Sequence, residues 1–254
     1  MKRIMIFLIA VVLVIYLGGC AMLYFFQRSL IYFPQPRTYG GPATTATLKR
    51  PDASLSLSVR PHLGPKALIY FGGNAEDVSR SLPKISAVFP DYSIYLLHYR
   101  GYGESTGELS EEAIHGDALA LFDKVHAEHP NISILGRSLG SGVAVRLASE
   151  RPISRLVLVT PYNSFQELGA SQYSYFPVRW LLKDKFESWR YAPRITVPTW
   201  LVAAEHDEII PRSSTEALFH HFLPGVAQMK IIPGVDHNSI SNSPEYMPLL
   251  KTAL

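Results

Sequence analysis

Gly136-Arg137-Ser138-Leu139-Gly140 sets a serine between two glycines at the spacing of a nucleophile elbow. On a sharp strand-to-helix turn, a serine hydroxyl stands clear of the backbone and can attack a carbonyl carbon. Such a turn is strained, and glycines two positions to either side remove the side chains that would otherwise collide. The apolar run at 132–135 and the small, then apolar, residues at 141–148 suit a strand entering and a helix leaving, the helix's positive end beneath the serine. Ser138 is the candidate nucleophile. Standing alone, the pattern is equally a chance turn, so its weight depends on partners elsewhere in the chain.

A serine needs a base, and the base needs a carboxylate to orient it. The apolar run 199–204 ends in Glu205-His206-Asp207-Glu208, and the run 229–232 leads into Pro233-Gly234-Val235-Asp236-His237-Asn238. Asp207 is the expected acid and His237 the expected general base. Glu205 and Glu208 compete for the acid's role, and Asp207 has a plainer reading as a loop carboxylate or helix cap. Of the other histidines, His98 follows a strand and is placed to line the site. His115, His126 and His129 fall on an expected solvated helix, His220 and His221 end another, and His62 precedes the catalytic strands. An oxyanion needs backbone donors, and the turn Gly72-Gly73-Asn74-Ala75 after the run 67–71 offers one. The expected pair is the N–H of Asn74 and the N–H of Leu139, with a simple tight turn as the alternative.

No metal or cofactor is expected. H-E-x-x-H spacing is absent and Cys20 is the only cysteine, which excludes both a disulfide framework and a cysteine metal cluster. Arg100-Gly101-Tyr102-Gly103-Glu104-Ser105-Thr106-Gly107 imitates a dinucleotide fingerprint but has one residue too many before its last glycine. It reads as a shaped loop beside the site, fixed by Arg100 and Glu104. With a net charge of +3 and basic residues scattered along the chain, nothing calls for nucleic acid.

These residues must be positioned by a core, and 254 residues at 47% hydrophobic are enough for one sizeable core. Alternating residues at 46–49 and 55–59 suit half-buried antiparallel strands. Fuller apolar runs at 67–71, 93–97, 132–135, 155–159, 199–204 and 229–232 suit buried parallel strands. Helical stretches near 78–89, 110–128, 139–149, 213–222 and 244–252 separate them. Strands alternating with helices predict an α/β fold, a mostly parallel sheet covered on both faces, with ligands beyond the strands' carboxyl ends.

Before this domain, residues 4–26 carry no charge after Lys2 and Arg3. As a helix such a run extends about 34 Å, enough for a hydrocarbon core of about 30 Å. The expected layout is a membrane anchor at 1–27, a linker at 28–45, and a catalytic domain at 46–254. A cleaved signal peptide is the rival, but the apolar run continues past any small-residue cleavage site. Leu17-Gly18-Gly19-Cys20 also suits a lipobox, which would lipidate Cys20. The basic start favours a cytoplasmic N-terminus, which puts the domain on the non-cytoplasmic side, in the periplasm of a bacterium.

The chain resembles the α/β-hydrolase superfamily, and within it the membrane-anchored Bem46-like group. The likeness spans nearly the whole chain and rests on Gln27-Arg28-Ser29-Leu30-Ile31-Tyr32-Phe33-Pro34, Gly73-Asn74-Ala75, Tyr99-Arg100-Gly101-Tyr102-Gly103-Glu104-Ser105, the elbow, Asp207-Glu208-Ile209-Ile210-Pro211 and His237-Asn238. One departure is Gly72, where the family usually has histidine. The order Ser138, Asp207, His237 is also that of the family. The resemblance implies an α/β-hydrolase fold and a cofactor-free serine hydrolase acting on small-molecule or lipid acyl substrates, as esters or thioesters. A peptidase of the same fold and a tethered binding protein without turnover are the alternatives. Residues 161–198 are too few for a large cap and are expected to form a short lid. Its aromatics, Tyr162, Phe165, Tyr173, Tyr175, Phe176, Trp180, Phe186, Trp189 and Tyr191, suit an acyl-binding wall, a membrane-facing surface or ordinary burial.

Overall fold

The structure, a computed structural model, describes residues 1–254, the side chain of Pro42 excepted. Strands β1 (Thr45–Lys49), β2 (Ser54–Arg60), β3 (Lys66–Phe71), β4 (Ser93–Leu97), β5 (Asn131–Arg137), β6 (Arg155–Val159), β7 (Thr199–Ala204) and β8 (Ala227–Ile232) form one sheet, ordered β1-β2-β4-β3-β5-β6-β7-β8. Only the β1–β2 and β2–β4 pairings are antiparallel. The rest run parallel, as the long apolar runs require.

Successive side chains of a strand point to opposite faces, and here both faces are covered. Ala67, Ile69 and Phe71 of β3 enter one core, and Leu68 and Tyr70 enter the other. The first core packs under α3 (Glu111–His126), α4 (Leu139–Ala148) and α8 (Arg212–His221); the second packs under α2 (Leu82–Val88) and α9 (Tyr246–Ala253). The helix expected at 78–89 begins as a 3₁₀ turn at Val78–Ser81, and α2 starts with Pro83 in its first turn, where a missing N–H costs nothing. Two histidines differ from expectation. His115 is buried on α3 with Nε2 3.1 Å from Glu150, and His129 is buried after α3, with Nδ1 donating to the Gly64 carbonyl at 2.8 Å.

Helix α1 (Lys2–Ile31) is the one helix long and apolar enough to cross a membrane among the described residues, with a mean hydropathy of 2.8 in its most apolar stretch. It continues four residues past the expected anchor boundary. Residues 32–41, expected as linker, are bonded along their length to the domain. Phe33 N–H donates to the Asn74 carbonyl (3.1 Å), Gly103 N–H to the Gln35 carbonyl (2.8 Å), Arg37 pairs with Glu104 (2.9 Å), and Thr38 N–H donates to Asp77 (2.8 Å). Residues 161–198 carry three short helices, α5 (Phe165–Gln172), α6 (Val178–Leu181) and α7 (Ser188–Tyr191).

Candidate active site

β5 ends at Arg137 and α4 begins at Leu139, so Ser138 is the whole turn between them. Its φ of 50° is a left-handed value that a residue with a Cβ adopts only when its surroundings enforce it. The enforcement is visible. Ser138 N–H donates to the Val159 carbonyl at 2.9 Å, and the Ser138 carbonyl accepts from Ser141 N–H (2.9 Å) and Ser141 Oγ (2.7 Å). A Cβ on Gly140 would overlap the carbonyls of Phe71 and Gly72, and one on Gly136 would meet the Gly140 carbonyl at 2.5 Å. The two glycines let the elbow, α4 and the end of β3 close on one another.

His237 and Asp207 come to this serine from the loops after β8 and β7. His237 Nε2 lies 3.0 Å from Ser138 Oγ, and His237 Nδ1 lies 2.9 Å from Asp207 Oδ2. A carboxylate only accepts, so Nδ1–H donates to Asp207, which leaves Nε2 to accept from the serine hydroxyl. The side chains of His237 and Asp207 are 7% and 5% exposed, so this relay is shielded from water. Asp207 Oδ1 also accepts from Ile209 N–H (3.0 Å) and Ile210 N–H (2.7 Å), which fixes the carboxylate. Of its competitors, Glu205 instead accepts from Gly234 N–H at 2.8 Å, and Glu208 is exposed.

The turn after β3 faces the same serine. A Cβ on Gly73 would lie 3.7 Å from Ser138 Cβ. Gly73 N–H is consumed by Glu76 Oε2 at 2.9 Å, while among the described residues the N–H groups of Asn74 and Leu139 have no intramolecular acceptor. The Asn74 side chain donates to the Ile31 carbonyl at 2.9 Å, tying this turn to the end of α1. At Gly72 a side chain would strike Val78 and come within 3.2 Å of the Glu76 carboxylate, so a histidine there would require Val78 to shift.

Sequence reasoning missed Glu76 and Arg137. The Glu76 carboxylate accepts from Gly73 N–H, from Tyr70 Oη (2.8 Å), from Ser81 Oγ (2.9 Å) and from Arg137 (3.2 Å). Arg137 also donates to the His237 carbonyl at 3.3 Å. One ion pair thus joins the elbow, the Gly73-Asn74 turn and the histidine loop. A signal was present: an arginine at a mostly buried elbow position requires a carboxylate nearby. Burial pushes the Tyr70 and Tyr99 hydroxyls well up, so both remain donors, Tyr99 to the Gly72 carbonyl at 2.9 Å.

His98 does not line the site. It is buried behind it with Nε2 2.9 Å from Ser58 Oγ, and burial pushes it down to about 4, leaving it neutral. The 99–107 loop is likewise a support. Arg100 pairs with Asp117 (2.8 Å) and Asp52 (2.6 Å), and Tyr102 Oη donates to the Asn74 carbonyl.

Beside Ser138 opens a cavity of about 1010 Å³, lined by both turns, α1 and the 161–198 segment. Its apolar wall comes from Leu23, Leu30, Phe165, Leu168 and Leu181, among others.

Comparison with known proteins agrees with this architecture. A family model described as serine aminopeptidase, S33 matches residues 87–191. The uncharacterized protein Rv2307c of Mycobacterium tuberculosis is 31% identical over 253 residues, covering 91% of this chain and 87% of its own length. The protein bem46 of Schizosaccharomyces pombe is 28% identical over 260 residues, covering 89% and 85%. The chain belongs to the α/β-hydrolases, in their Bem46-like group. A further relative of this α/β-hydrolase is the lysophosphatidylserine lipase ABHD12 of Mus musculus, 30% identical over 64% of this chain and 48% of that protein. The Pyrococcus furiosus esterase Pf2001 shares the α/β-hydrolase fold with a TM-score of 0.64 at 18% identity, covering 87% of this chain and 98% of its own.

Proposed function

We propose that this α/β-hydrolase is a membrane-anchored serine hydrolase that cleaves carboxylic esters or thioesters through an acyl-enzyme. The carrying observation is the Ser138–His237–Asp207 relay at 3.0 and 2.9 Å, set beside two backbone N–H groups without acceptors among the described residues. Ser138 Oγ attacks the carbonyl carbon while His237 Nε2 takes its proton, and Asp207 stabilises the imidazolium. The oxyanion receives the N–H groups of Asn74 and Leu139 at the positive end of α4. His237 then protonates the leaving alcohol or thiol, and water, deprotonated by His237, releases the acid.

The esterase and lipase among its relatives support this chemistry. A peptidase reading has the description of the matched family model behind it. An aminopeptidase must receive an α-ammonium, yet the cavity's carboxylates are engaged: Glu76 as above, and Asp77 with Thr38 and Ser79. That favours the ester reading. The domain layout we propose is an anchor at 1–27 and a catalytic domain at 46–254 on the non-cytoplasmic side, with 28–45 between them and a short lid at 161–198. Helix α1 runs unbroken through Cys20 and bonds to the domain at its far end, which favours an uncleaved anchor over lipidation of Cys20.

The test is fluorophosphonate labelling of the full chain, with p-nitrophenyl esters of graded length and a palmitoyl thioester as substrates. Labelling that vanishes in Ser138→Ala is the expected result. A folded parent that neither labels nor turns over any ester would instead favour a tethered binding protein.

A further inference from the structure

The face α1 turns toward the protein is a stripe: Tyr16, Gly19, Cys20, Leu23, Gln27 and Ile31, at helical spacing. The lid lies along it. The Phe176 ring stacks on Tyr16 at 5.6 Å, and a Cβ on Gly19 would come within 2.8 Å of that ring, so Gly19 is the seat that admits it. Farther along, Gln27 Nε2 donates to the Leu181 carbonyl (3.0 Å), and Lys183 N–H donates to Gln27 Oε1 (2.6 Å). Asp184 accepts from Arg28 (3.1 Å) and Tyr32 Oη (3.0 Å).

These contacts set the lid's depth. Lys183 Nζ lies 4.0 Å from the centre of the Tyr24 ring, and Arg28 and Arg179 are exposed nearby in sequence, the composition of a membrane–water interface. Phe176 packs five to eight residues deeper along α1, about 7–12 Å toward the bilayer interior. Its neighbours Tyr175 and Trp180 are each 89% exposed and have almost no protein cover. The cavity begins at the same seam: Leu23, Gln27, Leu30 and Ile31 of α1 form one wall, Leu168, Tyr173, Val178 and Leu181 of the lid the other, and Ser138 and His237 lie on the same surface. Polar lining comes from different elements, with Arg80 and Lys84 near α2 and Asn238 and Ser241 after β8.

Resting on the serine-hydrolase reading above, we infer that the lid tip around Tyr175–Trp180 inserts into the leaflet, and that the acyl chain of a membrane-resident ester enters sideways between α1 and the lid. The anchor is then a wall of the substrate site. Chain length is read by Leu23 and Leu168, which face the corridor from its two sides.

The experiment uses the full chain in phosphatidylcholine nanodiscs. In a Trp189→Phe, Trp200→Phe background, Trp180 fluorescence is quenched by lipids brominated on their acyl chains; absence of quenching overturns the insertion. The ratio of kcat/KM for palmitoyl over butyryl 4-methylumbelliferyl ester falls at least tenfold in Leu23→Trp and in Leu168→Trp, and holds in Val14→Trp on the outer face of α1. A ratio that holds in both corridor variants, with Ser138-dependent fluorophosphonate labelling intact, overturns the corridor. Loss of that labelling in the parent overturns the hydrolase reading instead.

Discussion

The two sides of the cavity are built differently. The rim that carries Ser138, His237 and Asp207 hangs from strand ends whose side chains are buried on both faces, and it is cross-braced by charge, with Glu76 and Arg137 at the centre. The opposite wall comes from α1 and a lid whose first helix, α5, buries no residue, and which is held by Gln27, Asp184, the Glu111 carboxylate, buried Phe186 and a few aromatic contacts. Chemistry demands fixed atoms, so the rim is tied into the core. A wall for flexible chains, as proposed above, would need only shape and apolarity, with fewer ties than the rim.

Substitutions separate the two sides, and the largest effect belongs to the rim. Asp207→Asn keeps the shape but favours the wrong imidazole tautomer, and ester kcat falls about 10⁴-fold while the fold persists, as circular dichroism and kinetics will show. Glu76→Ala leaves Arg137 mostly buried without its carboxylate, which costs about 3–5 kcal/mol in urea unfolding and frees the Gly73-Asn74 turn, lowering kcat as well.

The rim's support is also sensitive to acid. His98 is pushed down to about 4 by burial, against about 6.5 for a free imidazole. Between those values the unfolded chain binds a proton that the folded chain refuses, so this contribution is complete above about pH 6.5 and is lost as pH falls toward 4. The loss approaches about 3 kcal/mol, and His98→Gln flattens it, as urea midpoints at pH 7 and 4.5 will measure. The smallest effect belongs to the lid. Gln27→Ala removes both of its hydrogen bonds to the lid, worth about 0.5–1.5 kcal/mol each, so amide exchange near 176–185 quickens about tenfold while the sheet's amides keep their protection.

The same division governs what could be read in advance. Buried parallel strands are continuous apolar runs, so β3 to β7 and the loops carrying Ser138, Asp207 and His237 stood out, and so did the glycines that let β3 meet α4. The Glu76–Arg137 pair did not, because its partners are brought together by the register of β3 on β5 and share no local pattern. Nor did the docking of α1. A helix apolar all round from residue 4 to residue 26 announces no preferred face, and nothing in Gly18-Gly19 or Gln27 says which side will meet the domain. His115 and His129 looked solvated because a histidine among polar neighbours carries no sign of the acceptor awaiting it across the fold.

The strap of residues 32–41 has a consequence for reach. From Phe33 to Thr38 it is bonded to the same turns that carry Asn74 and Asp77. The strap thus ties the end of α1 to the domain directly, without a free linker between them. With α1 as the anchor proposed above, Ser138 would stand at a set height above the bilayer, and an acyl group carried farther out would have to descend to that level to be cut.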